Sequence, residues 1–203
     1  MGASANLAAG AAPGPKRGNG DQIVAAGRVR AFIALGSNLG EREAHLSDAR
    51  AALGGTSGLR IVGASRIYQT EPMGPGDQGP YLNAVLAVDT DATARGLLER
   101  LLEVEQQGGR RRSSEGQRWG PRSIDLDLLF HGEARLAEEG LEVPHPRLHQ
   151  RAFVLEPLCE LAGGWIHPGL GVSLETLRQQ LQGSGWVEVY PQQTASWTVG
   201  SDL

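Results

Sequence analysis

Through its middle the chain reads Arg118-Trp119-Gly120-Pro121-Arg122-Ser123-Ile124-Asp125-Leu126-Asp127-Leu128-Leu129-Phe130, a Gly-Pro turn followed by a run that alternates between apolar and other residues. A period of two predicts a strand, with Ile124, Leu126, Leu128 and Phe130 on one face and Asp125 and Asp127 together on the other. Two rises of about 3.3 Å place the two carboxylates roughly 6.6 Å apart along the strand. That separation suits a pair of acids that share or bridge hard divalent cations, whose preferred ligands are oxygens. A bare Asp-x-Asp on an amphipathic strand more often marks only a face that meets water.

The neighbouring residues shift that balance. Arg110, Arg111, Arg112, Arg118 and Arg122 crowd into the stretch 110–122, which holds a single acid, Glu115, although the whole chain carries a formal charge of −4. A cationic loop leading into a carboxylate pair fits Mg²⁺ plus polyphosphate: the acids hold metal, and guanidinium forks hold phosphate oxygens. The pattern Arg-Trp-Gly-Pro-Arg-x-x-Asp-x-Asp resembles the signature of the 6-hydroxymethyl-7,8-dihydropterin pyrophosphokinase family, and the resemblance extends over about residues 29–190. Two further segments carry it, Gly36-Ser37-Asn38-Leu39 and Val143-Pro144-His145-Pro146-Arg147-Leu148-His149-Gln150-Arg151-Ala152-Phe153.

Composition narrows the alternatives. A length of 203 residues predicts one domain with a substantial core, and 29 glycines with 11 prolines predict a loop-rich one. Lys16 is the only lysine. A P-loop and a protein-kinase fold each need a lysine on the phosphates, so both are excluded and arginine must do that work. The acidic balance disfavours a nucleic-acid partner, and no apolar run is long enough to span a membrane. Cys159, the sole cysteine, lies in the apolar run 153–161 and reads as a core residue. A monomeric cytoplasmic enzyme acting on small molecules is the expectation.

Residues 1–27 lack hydrophobic periodicity and read as a disordered extension, 28–190 as the catalytic domain and 191–203 as a loose tail. Within the domain, a strand over 29–35 leads to a helix capped by Ser37 or Asn38, with Leu39, Leu46, Ala49 and Leu53 as its buried stripe. A strand over 59–69, the Gly/Pro-rich loop 70–80, a strand over 81–88 and a helix capped by Thr90 or Asp91 follow. Helices near 153–162 and 173–182 and a strand at 186–190 complete the body. Strands alternating with helices predict an α+β sandwich. The resemblance makes it ferredoxin-like, with a mainly antiparallel sheet and added elements.

The family also implies roles. Asp125 and Asp127 hold two Mg²⁺ ions; Arg110, Arg112 and Arg122 act on the transferring group; Glu105, Arg118, Trp119, Arg122, His145 and Arg151 bind ATP. Thr70, Tyr81, Asn83, Trp119 and Phe153 form the pterin pocket, where an amide offers both donors and an acceptor to the ring edge. Glu105 reads equally well as a solvated acid at a helix end. The implied reaction is attack of the pterin alcohol on the β-phosphorus of ATP, with AMP leaving. A closed zinc site on His145 and His149 is disfavoured by Pro146 and the single cysteine. Two rivals remain: a Mg²⁺-dependent nucleotidyl or polyphosphate transferase with another acceptor, and a non-catalytic ferredoxin-like module that holds nucleotide or RNA through its arginines.

Overall fold

The computed structural model describes residues 27–72, 79–108, 123–181, 185–191, 197 and 200–201. Strand β1 (Val29–Ser37) pairs antiparallel with β4 (Tyr81–Thr90) along its whole length, from Val29 opposite Thr90 to Ser37 opposite Leu82. The other edge of β1 takes β5 (Asp125–His131), and the other edge of β4 takes β2 (Leu59–Ala64), both antiparallel. Helix α1 (Arg42–Gly54) joins β1 to β2, and α2 (Ala94–Gln107) joins β4 to β5. The spatial order β5-β1-β4-β2 with these two helices is a ferredoxin-like α/β fold.

Additions extend this unit. Strand β3 (Tyr68–Thr70) also pairs with β4, β8 (Val187–Val189) pairs with β3, and β9 (Gly200–Ser201) pairs with β2. The hairpin β6 (Leu136–Glu138) and β7 (Leu141–Val143) follows β5, and helices α3 (Ala152–Ala162) and α4 (Leu174–Gln180) follow the hairpin. The sheet therefore has helices on both faces and two cores. Ile33, Leu35, Leu86, Leu126 and Leu128 meet Leu46, Leu53, Leu97 and Leu101 of α1 and α2 on one face. On the other, Phe32, Val85 and Phe130 meet Val154, Leu155, Leu158 and Trp165.

The expected single apolar face of β5 holds only as far as Leu128. Phe32 pairs with Phe130 while Ile33 pairs with Leu128, so Leu129 is an extra residue in a β-bulge. Leu129 and Phe130 consequently both enter the second core, where Phe130 lies edge-on to Phe32 at 6.2 Å between centroids. The expected single strand 59–69 breaks at Ser65, whose hydroxyl accepts the Val85 N–H at 2.9 Å in place of a backbone carbonyl.

Helix starts also differ from expectation. Ser37 stays in β1, and Gly40 turns the chain at φ 59°, so α1 begins only at Arg42 behind Glu41 and Leu39 is left 44% exposed. Thr90 is likewise still in β4, and Thr93 caps α2 by accepting Gly96 N–H at 3.1 Å. Burial pushes the Cys159 thiol up to about 12, which makes it an inert core neighbour, as expected. Among the described residues after 190, one is firmly placed. Trp197 is 3% exposed, donates its indole N–H to Ser65 O at 2.8 Å, and has the Arg50 guanidinium 5.2 Å from its ring centroid.

His167 supplies a pH-dependent contribution to this fold. Its Nδ1 accepts N–H from Gly169 at 3.1 Å and from Leu170 at 3.2 Å, and burial, with His149 adding to it, holds its pKa below the ordinary histidine value. Protonating Nδ1 would break both bonds. The unfolded chain takes up this proton near its usual pKa of about 6.5 while the folded chain resists, so stability is full above that pH and falls as pH drops through it. The slope from one such proton is at most about 1.4 kcal/mol per pH unit. Urea unfolding from pH 7.5 to 5.5 should show a steeper loss for the native protein than for His167→Asn; identical profiles would remove His167 from this role.

Candidate active site

Leu126 and Leu128 point into the core under α1 and α2, so Asp125 and Asp127 stand on the opposite face of β5. Asp125 is opposite Gly36 of β1, and Gly36 is opposite Asn83 of β4. Directly opposed residues share a face, so Asn83, Gly36 and Asp125 form one row across three strands, about 9–10 Å from end to end. The next row is Val85, Ala34 and Asp127. Farther along the sheet α3 covers this face, and Asp127 lies beside the start of that helix.

Asp127, with its side chain 37% exposed, is approached from two sides. Arg151 Nη1 lies 3.5 Å and His145 Nε2 3.8 Å from its Oδ2. Local structure fixes both. Arg151 is the residue that starts α3, and His145 is tied back to β5 by its N–H on Leu129 O at 2.9 Å, two residues beyond Asp127. Burial holds the His145 pKa below the ordinary value, with Arg151 and Arg147 adding to the effect and Asp127 opposing it. Its Nδ1 accepts Arg147 N–H at 3.2 Å, so the neutral ring carries its proton on Nε2, toward Asp127.

Glu105 is not a solvated helix-end acid. It is 1% exposed, and its Oε1 accepts Leu126 N–H at 2.7 Å. Leu126 sits between the two aspartates on the edge of the sheet not paired to β1, so Glu105 fills the place of a neighbouring strand and fixes the backbone that carries them. Close by, Ser123 Oγ donates to Gly108 O at 3.0 Å and joins the two ends of the arginine-rich stretch just ahead of Asp125. Arg110, Arg112, Arg118, Trp119 and Arg122 lie within that stretch, outside the described residues.

At the other end of the row Asn83 and Thr70 are both buried, and Asn83 Nδ2 donates to Thr70 Oγ1 at 2.8 Å. Tyr81 pairs with Thr70 and is half-buried, and Arg42 Nη1 anchors the approach to it by donating to Pro80 O at 2.6 Å. Phe153 lies on the first turn of α3, with its ring centroid 5.5 Å from the Arg151 guanidinium carbon. Asp127, His145, Arg151 and Phe153 thus gather around the start of α3, while Thr70, Tyr81 and Asn83 lie across Gly36 from Asp125.

Two features escaped the sequence reading. In the sequence Gly36 stands out only as part of the Gly-Ser-Asn-Leu motif, although a glycine inside a strand signals a close approach. A cleft of about 330 Å³ also opens beside Asp127 and His145, lined among others by Leu98, Leu128, Leu141, Glu142 and Pro146. Its leucines looked like ordinary core.

Comparison with known proteins places the chain in a family. Residues 32–163 match the family model of 7,8-dihydro-6-hydroxymethylpterin-pyrophosphokinase, HPPK. The 2-amino-4-hydroxy-6-hydroxymethyldihydropteridine pyrophosphokinase of Methylorubrum extorquens is 44% identical over 153 residues, covering 75% of this chain and 92% of that protein. The Bacillus subtilis protein of the same name is 42% identical over 131 residues, covering 64% and 77%. Among solved structures, wild-type Plasmodium falciparum HPPK-DHPS superposes with a TM-score of 0.57 at 14% identity, a likeness of fold that takes in 75% of this chain and 44% of that longer one. On the family match and these identities, the chain belongs to the 7,8-dihydro-6-hydroxymethylpterin pyrophosphokinase family.

Proposed function

We propose that Asp125 and Asp127 hold two Mg²⁺ ions against the phosphates of ATP, while Thr70, Tyr81, Asn83 and Phe153 hold the pterin. The enzyme transfers pyrophosphate from ATP to 6-hydroxymethyl-7,8-dihydropterin in folate biosynthesis, which leaves AMP as the nucleotide product. The observation that carries the residue assignment is the convergence of Arg151 and His145 on Asp127, on the face that also bears Asp125 and Asn83.

The donor set suits Mg²⁺, because both candidate ligands are carboxylates on one strand face and the Asp127 side chain is open to solvent. When bound, Mg²⁺ supplies positive charge at the phosphate oxygens. The chain's own groups do the rest. Arg151 and the Nε2–H of neutral His145 donate to phosphate oxygens, and Arg110, Arg112, Arg118 and Arg122 add charge from the stretch that Ser123 and Gly108 close beside Asp125. The nucleoside occupies the cleft bordering Asp127 and His145, with Glu105 as a positioning residue behind β5. Trp119 stacks on the pterin opposite Phe153. The alcohol oxygen then attacks the β-phosphorus in line and gives up its proton to solvent, the new bond forms as the bond from the β-phosphorus to the α,β-bridging oxygen breaks, and AMP carries that oxygen away. The same reading makes the protein a cytoplasmic monomer that meets small molecules, consistent with its net charge of −4.

Labelled ATP turned over with the hydroxymethyl-dihydropterin should give AMP and the pterin diphosphate in equal amounts; stoichiometric ADP would overturn the reading. Asp125→Ala and Asp127→Ala should stay folded and lose orders of magnitude in turnover, and near-native rates in both would return the pair to an ordinary solvated face. Glu105→Ala strands a buried N–H, so urea unfolding should show a loss of about 1–3 kcal/mol together with weaker turnover. Native stability in that variant would remove Glu105 from its place behind β5.

A further inference from the structure

Helix α3 brings Arg151 and Phe153 to the site at its start, and Val154, Leu155, Leu158 and Ala162 seat it on the sheet. Apolar burial is non-directional, so that seating sets the height of the helix and leaves its slide and rotation to other contacts. Glu160 supplies one. It stands seven residues after Phe153, about 10.5 Å along the helix and on the same side, because positions i and i+7 are two turns apart. Pro157, buried between them at i+4, marks that side as one turned toward the sheet.

Three donors from the sheet reach the Glu160 carboxylate. Its Oε1 accepts the Tyr68 hydroxyl at 2.6 Å and Arg66 Nε–H at 2.5 Å, and its Oε2 accepts the Arg66 backbone N–H at 2.8 Å. Tyr68 is buried, and burial, then the Glu160 carboxylate, push its pKa above the ordinary tyrosine value, so it stays a donor. The Arg66 side chain is half exposed and its ion pair is screened, which leaves the Tyr68 bond as the firmer part of the link. Tyr68 lies in β3 directly opposite Asn83, and Thr70 follows on the same face with Asn83 Nδ2 on its Oγ1 at 2.8 Å. One carboxylate thus joins the helix that carries Phe153 to the strand that carries Thr70.

Resting on the pterin reading of this site, we propose that Glu160 is a positioning residue: through Tyr68 it fixes the gap between Phe153 and the wall of Thr70 and Asn83, and that gap sets pterin affinity. A ring held by a stacking face on one element and a hydrogen-bonding edge on another binds well only while their separation is fixed. Arg151 shares the helix, but its own contact with Asp127 at 3.5 Å holds it from the other side, so nucleotide binding depends less on the link.

The chain has three phenylalanines, and Phe32 and Phe130 lie fully in the second core, so fluorophenylalanine labelling gives Phe153 its own probe. In Glu160→Ala and in Tyr68→Phe the Phe153 fluorine resonance should shift or broaden while those of Phe32 and Phe130 keep their native positions. Calorimetry with Mg²⁺ and a non-hydrolysable ATP analogue should show pterin affinity at least fivefold weaker in both variants, with affinity for the analogue alone within twofold of native. An unmoved Phe153 resonance, movement of all three, a smaller loss of pterin affinity, or equal loss for both ligands overturns the proposal. Where Glu160→Ala fails to fold, Tyr68→Phe decides, since it removes one hydroxyl and leaves the ring packed. A native protein that binds no pterin would refute the functional reading beneath, and the fluorine spectrum would still decide whether Glu160 sets Phe153.

Discussion

The register of β1 between β4 and β5 is the constraint on which the site depends. Because β1 is hydrogen-bonded on both edges, one set of pairings, Gly36 with Asn83 and Gly36 with Asp125, fixes the distance between the two halves of the site. A slip of one residue on either side would turn Asn83 or Asp125 into the core under α1 and α2, where Leu35, Leu86 and Leu126 leave no place for a polar group. Burial of both faces therefore holds the register, and the register holds the chemistry. On this account the large apolar cores contribute to catalysis only through geometry.

Around that frame, short polar links set individual groups. Glu105 supplies the hydrogen-bond partner that Leu126 lacks at the open edge of β5, and it does so between the two aspartates. The Leu129 bulge has two consequences: it turns Phe130 into the second core, and it offers the carbonyl that anchors His145 opposite Asp127. The site thus sits where the sheet stops being covered, between the first turn of α3 and the cleft lined by Leu98, Leu141 and Pro146. On the proposed reading, charged substrate groups would meet fixed donors there instead of reorganising water.

What the sequence disclosed and what it hid follow from the range of the interactions. Alternation through Ile124–Leu128 is local, so the aspartate face was legible from the residues alone. The bulge at Leu129 exists only in the pairing with Phe32 and Ile33, which no local pattern carries. Thr70 and Asn83 are expected in the pocket only through the family resemblance, and the direction of the Asn83 amide depends on a hydrogen bond across strands. Glu105 read as well for a solvated acid as for a functional one because its partner lies 21 residues away in sequence. Trp197 had no periodicity around it, and its place against Ser65 and Arg50 is a purely tertiary fact.

The central claim is that the two substrates meet along one row of the sheet, the pterin hydroxyl and the phosphates at the Asp125 end and the pterin ring edge at the Asn83 end. A crystal structure with Mg²⁺, a non-hydrolysable ATP analogue and the hydroxymethyl-dihydropterin tests it most directly. The account predicts the pterin against Asn83 and Phe153, and its hydroxyl oxygen in line with the β-phosphorus at a near-attack distance of about 3–3.5 Å. A pterin bound away from the β4-β1-β5 row, or a hydroxyl aimed at the γ-phosphorus, would contradict it.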